Sequence, residues 1–297
     1  MSKSRNLFAT VLTYPAPSSN YRGESEENRT VLQKITKGGL EYSIISPESM
    51  RNALREMLAK VNSEWCNRSR LHYEEQLAVE FKEFPNAEKY ADDFLFGYLV
   101  TDKKSVEQNK KKPAKRDSVF RVNMAVALTP YRFNSVFHQS PKSPINESKN
   151  SALVHREVSH TAYQYPFALS YEDCKQGNGV EWTKALLTAI GQLTNVAGGH
   201  ARSYFEMSPA SIIVRLTPNL VAGYNTYGFD EQGNFSELKR INEDDLPSNE
   251  FWIGGEIARK MDANEKKRLE DLGVKFYNNP QKLLADVGEE FLRAEGE

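Results

Sequence analysis

The chain has 297 residues, enough to bury a substantial core as one elaborated domain or two small ones. Its 39 Lys and Arg against 40 Asp and Glu leave a formal charge of -1, so no global positive excess advertises a polyanion partner, and any such site must arise from local clustering. Cys66 and Cys174 lie far apart and form no CxxC pair, which argues against a zinc ribbon or a disulfide scaffold. The opening MSKSRNLFATVLTYP has no long apolar stretch, and no later run approaches the roughly 18 apolar residues of a membrane span. The expectation is a soluble protein of a reducing cytoplasm.

Residues 6–14, rich in Leu, Phe, Val and Thr and halted by Pro15 and Pro17, read as a strand entering a turn-rich loop that carries Asn20, Tyr21, Arg22 and Gly23. A second short strand, 40–45, leads into Ser46-Pro47, a helix N-cap followed by proline at the first helical position. Met50, Ala53, Leu54, Met57, Leu58 and Val61 then recur at the spacing of one buried helical stripe. Arg51 and Arg55 fall on a neighbouring stripe that is expected to face solvent.

Residues 63–100 mix aromatics and charges with broken periodicity and read as an inserted, mainly helical segment in which Asp92-Asp93 open a turn. The following KKSVEQNKKKPAKR, residues 103–116, is the densest basic run of the chain and has no apolar pattern, so it reads as a mobile loop. Strands are expected over 118–132 and 157–170, separated by a Ser, Pro and Asn-rich arm near 133–155. Trp182, Ala185, Leu186, Ala189, Ile190 and Leu193 mark a second amphipathic helix before Gly198-Gly199, and a strand over 210–216 follows. An acidic, turn-rich stretch from Asp230 to Glu250 precedes two short closing helices, opened near Asp262 and by Asn279-Pro280. This order is α+β with a mostly antiparallel sheet, which a ferredoxin-like or RRM-like core with insertions accommodates.

The chain lacks the phosphate-loop, nucleophile-elbow, HExxH and dinucleotide-fingerprint motifs. Gly198-Gly199 follow a helix, whose C-terminus carries partial negative charge, so they form no phosphate cradle of that kind. His155 and His160 have poor spacing for a shared metal, and His200 stands alone in a loop. Neither a catalytic group, a metal nor a cofactor is expected. Phosphates need cations and unstacked bases need flat faces, which directs attention to Tyr21-Arg22, Phe137-His138 and the two helical arginines.

The ordered set NLFATVLTYPAPSSNYRG, GGLEYSIISPESMRNALREML, DDFLFGYL, VHREVSHTAYQYPFALS and GGHARSYFEMSPASIIVRLT resembles the Cas-seven superfamily, whose members are backbone subunits of type I CRISPR interference complexes (Cascade). Within it the likeness is to the DevR autoregulator-like branch of subtype I-B. The resemblance implies a hand-shaped subunit: a modified RRM palm (residues 1–62, 118–132 and 156–255), helical fingers inserted at 63–117, a projecting thumb hairpin at 133–155 and C-terminal helices at 256–297. It implies guide RNA as ligand, target DNA met through the RNA–DNA hybrid, and other copies and other Cascade subunits as partners, with no membrane. The positions matching the RNA-contacting palm are Asn20, Tyr21, Arg22, Arg51, Asn52, Arg55, Gly198, Gly199, His200 and Arg202. In the arm, Phe137 or a neighbouring apolar group is expected beside a base, Lys142, Lys149 and Arg156 at phosphates, and His138 among the RNA contacts. Recognition would be of the RNA backbone, because guide sequences vary. Two other readings are an RRM-like endoribonuclease that processes precursor RNA with His155, His160 or His200, and a DNA-binding autoregulator.

Overall fold

The computed structural model describes residues 5–26, 29–71, 78–139, 153–197 and 204–294. The strand at its centre is β1 (Asn6–Thr13), buried along its length except at the half-buried Phe8. Short strands follow: β2 (Ala16–Ser18), β3 (Tyr21–Glu26), β4 (Arg29–Leu32) and β5 (Lys34–Lys37), so the loop expected at residues 20–23 is in part strand. β5 turns into β6 (Leu40–Ile45) through Gly38 and Gly39, whose φ angles of 58° and 79° suit a two-residue hairpin turn. The helix α1 (Pro47–Val61) begins as expected, with Ser46 Oγ accepting from the Ser49 N–H at 3.2 Å and Pro47 in the first turn.

The inserted segment departs from the mainly helical expectation. It contains β7 (Arg68–Leu71) paired antiparallel with β8 (Ala78–Phe81), then α2 (Ala91–Phe96), β9 (Tyr98–Leu99), α3 (Lys103–Gln108) and β10 (Lys115–Arg116), which pairs with β9. The basic run is not a loop: Asp102 caps α3 by accepting from the Ser105 N–H at 2.8 Å, and the run ends in a strand. The strand expected at 118–132 is divided into β11 (Arg121–Val122) and β12 (Ala125–Ala127). Beyond these lie β13 (Ser135–Gln139), β14 (Leu153–Glu157), β15 (Ser159–Thr161), β16 (Tyr163–Ser170), α4 (Tyr171–Cys174), α5 (Gly179–Gly191) and β17 (Pro209–Thr217). The C-terminal part holds α6 (Leu238–Asn242), β18 (Phe251–Gly255), α7 (Glu256–Lys260), α8 (Ala263–Asp271), β19 (Lys275–Tyr277) and α9 (Pro280–Leu292).

The main sheet has the order β19-β18-β17-β1-β16-β12-β6-β5, with β11 also on β16. Its pairs are antiparallel except β18 with β19. Alternation along the strands gives each face its own core. Leu7, Ala9 and Val11, with Ile212, Val214 and Trp252, pack with α1, α2, α5 and α9. Leu12, Ile213, Phe251 and Ile253 point the other way and pack with Tyr224, Phe229, Phe235, Ile241 and Leu246 from the turn-rich stretch. Gln164 ties that cover to the sheet: its Oε1 accepts from the Phe229 N–H at 3.1 Å, and its Nε2 donates to the Phe229 carbonyl at 3.2 Å.

The N-terminal excursion is fastened at Tyr163. This side chain is 1% exposed, and its hydroxyl lies 2.6 Å from Ser18 Oγ on β2 and 3.0 Å from Ser43 Oγ on β6. Ser43 donates onward to Ser159 Oγ at 2.9 Å. Removing the hydroxyl takes one hydrogen bond from each of two buried serines, which keep only Ser159 as a partner. Tyr163→Phe is therefore expected to lower unfolding free energy by about 1–2 kcal/mol, read from the urea midpoint, whereas the exposed Tyr204→Phe should leave that midpoint in place.

Candidate nucleic-acid interface

Register places several of the sequence-selected residues at one end of the main sheet. Leu12 lies opposite both Gln164 and Ser211, Gln164 opposite Val126, and Val126 opposite Ile44. Just beyond this row stand Asn20, the α1 N-cap Ser46, and the isolated bridge between Thr194 and Glu206. Asn20 is 3% exposed, and its amide donates to the Ile44 carbonyl at 2.8 Å, so it holds the excursion against β6 rather than presenting a free polar group. Tyr21 is exposed, and its carbonyl accepts from Gln33 Nε2. Arg22 continues β3. Gly198, Gly199, His200 and Arg202 lie outside the described residues, and the Thr194–Glu206 bridge joins the two chain ends that flank them.

The arm belongs to a second sheet of order β13-β14-β4-β3. β13 and β14 form its antiparallel base, in which Phe137 faces His155 and Val136 faces Arg156, and β14 adds to β4 in parallel. Phe137 is exposed, with its ring 5.0 Å from the His155 ring in an edge-on contact. His138 continues β13, and Lys142 and Lys149 lie outside the described residues. Arg156 is half-buried, and burial lowers its pKa. The root of the arm is the buried Glu157, which accepts from the Leu32 N–H at 3.1 Å and pairs with Arg29 at 3.4 Å and Lys34 at 3.7 Å. A buried carboxylate needs such compensation, and it fixes where the arm leaves the body.

A third element is a cleft of about 370 Å³ between α1 and the inserted segment. Arg51, Asn52 and Arg55 line it from α1, and Arg68, Phe96, Gly97, Tyr98 and Arg116 line it from the other wall. The expectation that Arg55 faces solvent is corrected: it is 6% exposed, because the insertion folds across that side of the helix. Its Nε lies 3.2 Å from Asp92 Oδ2, and its NH1 donates to Asn52 Oδ1 at 2.5 Å. Burial, and then the neighbouring Arg68, bring its pKa down to about 10. Arg51 is half-buried, with its Nε shut off from solvent, and its NH1 pairs with the exposed Glu48 at 3.2 Å.

Asp92 and Asp93, expected to be turn residues, are fully buried in the first turn of α2. Asp92 accepts the N–H groups of Asn67 at 2.8 Å and Arg68 at 3.1 Å; Asp93 accepts Asn67 Nδ2 at 2.8 Å and the Asn86 N–H at 2.9 Å. Burial, with the charge of Asp92 beside it, raises the pKa of Asp93. Gly97 ends α2 at φ 64°, where an added Cβ would lie 2.5 Å from the Arg116 carbonyl oxygen. The Arg68 guanidinium donates to the Gly97 carbonyl. Arg68 and Arg116 carry no helical or strand pattern that singles them out in the sequence. The only signal was the basic run that ends at Arg116.

The arrangement is suited to holding an anion. Cys66 and Cys174 are buried, which pushes both thiols up to about 12 and keeps them protonated at neutral pH. Among the described residues no group of three His, Cys, Asp or Glu side chains is placed to hold a metal ion, and none of the described helices is long and apolar enough to cross a membrane.

No protein-family model matches the chain. A "CRISPR-associated protein Cas7/Cst2/DevR" from Myxococcus xanthus (strain DK1622) is 30% identical over 282 residues, covering 90% of this chain and 91% of that protein. Among solved structures, a chain of a "CRISPR RNA-guided surveillance complex, pre-nicking" superposes with a TM-score of 0.64 at 9% identity, over 96% of this chain and 100% of that one. A chain of another "CRISPR RNA-guided surveillance complex" gives 0.58 at 12% identity, over 96% and 99%. At these identities the structural likeness concerns the fold, an α+β arrangement with a central sheet.

The buried carboxylates and the surface ion pair make opposite predictions. Asp92→Asn leaves Arg55 uncompensated and replaces an acceptor with a donor facing backbone N–H groups, so a loss of about 3–5 kcal/mol is expected. Arg51→Ala should cost no more than about 1 kcal/mol. Urea denaturation of both variants checks this, and equal midpoints would show that Asp92 does not clamp the insertion.

Proposed function

The chain belongs to the Cas7/Cst2/DevR family of CRISPR-associated proteins, and from that premise we propose that it is a non-catalytic backbone subunit that binds guide RNA in a type I interference complex. Several copies assemble along one RNA beside other Cascade subunits, and the RNA they hold pairs with target DNA. The observation that carries this reading is the relative, matched over nine-tenths of the chain.

An RRM-like palm is supported by connectivity. α1 lies between β1 and β12, α5 joins β16 to β17, and β1 and β16 are central in the order β17-β1-β16-β12. That is the β-α-β-β-α-β arrangement of ferredoxin-like folds, with β6 and β5 added at one edge and β18 and β19 at the other. Palm, fingers and thumb then correspond to the main sheet with its helices, residues 63–117 and residues 133–155. The palm's open face is not free, because residues 222–246 cover its centre. RNA contact in this reading falls to Tyr21 and Arg22 at the rim, to Arg51 and Asn52 on α1, and to Phe137, His138 and Arg156 of the arm, with Lys142 and Gly198, Gly199, His200 and Arg202 proposed from the sequence alone. Asn20 and Arg55 support that rim from beneath. Contacts of this type reach phosphates and base faces and tolerate any guide sequence.

Protein purified from cells that carry its cognate CRISPR array should retain RNA, and sequencing should return spacers of defined length; random fragments, or specific cleavage of added repeat transcripts without metal, would overturn the reading. Binding to single-stranded RNA should weaken with salt, with a slope of about -0.7 per phosphate contact. Replacing residues 140–152 by a short Gly-Ser linker should leave a folded subunit, since β13, β14 and the Glu157 anchor remain. The trimmed subunit should lose periodic nuclease protection on long guide RNA, and an unchanged protection pattern would exclude the arm as the element that reaches a neighbouring copy.

A further inference from the structure

The cleft between α1 and the inserted segment holds a charge pattern that folding alone does not explain. Arg51, Arg68 and Arg116 each have an Nε shut off from solvent and without a hydrogen-bond partner among the described residues, whereas the Arg55 Nε has Asp92 Oδ2 at 3.2 Å. Unmade bonds on buried donors are costly, and three in one cleft mark the place of a missing acceptor. Asp92 and Asp93 do not fill that role for these three. Both oxygens of Asp92 and Oδ2 of Asp93 are engaged by the amides of residues 67, 68 and 86, and Arg68 reaches Asp93 Oδ1 only at 3.8 Å. Arg116 has the weakest compensation: among the described residues its guanidinium has the face of Phe94, at 5.3 Å, and no carboxylate within ion-pair distance.

Three of the cleft's guanidinium groups rest over aromatic rings before any ligand arrives. Arg55 lies 5.3 Å over Phe96, Arg68 4.9 Å over Phe81, and Arg116 5.3 Å over Phe94. Stacking keeps a planar fork in one orientation, so little side-chain freedom is lost on binding. Gly97 makes this possible, since it lets the backbone turn so that its carbonyl fixes Arg68 while the Arg116 strand passes against it. Several rigid forks converging on one space match an acceptor with multiple oxygens, which is a phosphate.

We propose that this cleft is a phosphodiester clamp in which the inserted segment, through Arg68 and Arg116, supplies half of the grip on the guide RNA. The proposal rests on the guide-RNA reading and adds to it that the fingers bind RNA backbone together with the palm helix. The cleft volume, about 370 Å³, lies in the range of small-molecule pockets and exceeds what a bare phosphate ion fills, which favours a nucleotide unit of a strand.

The test uses the full chain, stripped of bound nucleic acid, and a fluorescein-labelled oligouridylate titrated at several salt concentrations. Arg116→Gln should melt with the wild type, bind about tenfold more weakly and show a salt slope shallower by about 0.7, the signature of one lost phosphate contact. Arg116→Lys, which keeps the charge without the fork, should restore the slope but not the affinity; it also serves as the informative variant if the glutamine form fails to fold. Unchanged affinity and slope in these variants, with the wild type binding RNA, would overturn the clamp and leave the guide-RNA function standing. If inorganic phosphate raises the wild-type melting temperature but not that of Arg116→Gln, while the two bind RNA equally, the cleft takes free phosphate and the proposal is wrong as to source. A wild type that binds no RNA at all removes the guide-RNA reading itself.

Discussion

β1 is buried on both sides, by α1, α5 and α9 on one face of the main sheet and by residues 222–246 on the other. A strand in that position must be apolar or have its polar side chains bonded: five of the eight residues of NLFATVLT are apolar, Asn6 and Thr10 donate to the Asn219 and Thr226 carbonyls, and Thr13 accepts from the Tyr163 N–H. Because both faces are occupied, the sheet cannot offer the broad stacking surface on which an open RRM lays out bases. In the proposed guide-RNA reading, ligand contact is displaced to what the sheet supports: the rim at the Leu12 end, the arm built on β4, and the cleft beside α1. In that reading the covering segment decides where binding happens although it takes no part in it.

The insertion is held in a different way. Its contact with α1 depends on buried charge, with Asp92 and Asp93 binding amide groups of the β7 region and Arg55 closing the gap between helix and insertion. Polar contacts of this kind add less to stability than an apolar seam of the same size, but they tolerate only one geometry. The positions of Arg68 and Arg116 in the cleft follow from that fixed geometry, as does the strained Gly97 turn between them.

Periodicity and capping made β1, α1, α5, β17 and the closing α8 and α9 legible, and the Ser46-Pro47 and Asn279-Pro280 starts are capped as the residue types require. The insertion was not legible for a specific reason. α2, ADDFLF, is buried all round, so it lacks an amphipathic stripe, and the groups that neutralise its two aspartates come from residues 67 and 68 of another element. The exposure of Arg55 was misjudged on the same ground, since helical spacing assigns a face but not what folds over it. FWIGG and KFY were too short to register as strands, yet β18 and β19 extend the sheet. Among the residues proposed to bind, the α1 arginines could be found from a cap and a stripe, whereas Arg68 and Arg116 became visible only once the cleft was assembled.

The pairing of β1 also sets the order in which the molecule can be made. Leu12 lies opposite Gln164 and Ser211, and Arg5 donates to the carbonyl of Glu290 at 2.8 Å, so the first strand completes its hydrogen bonding only when nearly the whole chain is present. At ribosomal rates of about 5–20 residues per second, β1 waits roughly 10–40 s for its second neighbour to be synthesised. During that interval an apolar strand with two open edges is exposed to every other nascent copy. A protein with the proposed role of lining up many copies of itself on one RNA is therefore most vulnerable to indiscriminate self-association before it has folded, and its yield in the cell depends on whatever shields residues 6–13 until the ribosome has passed residue 217.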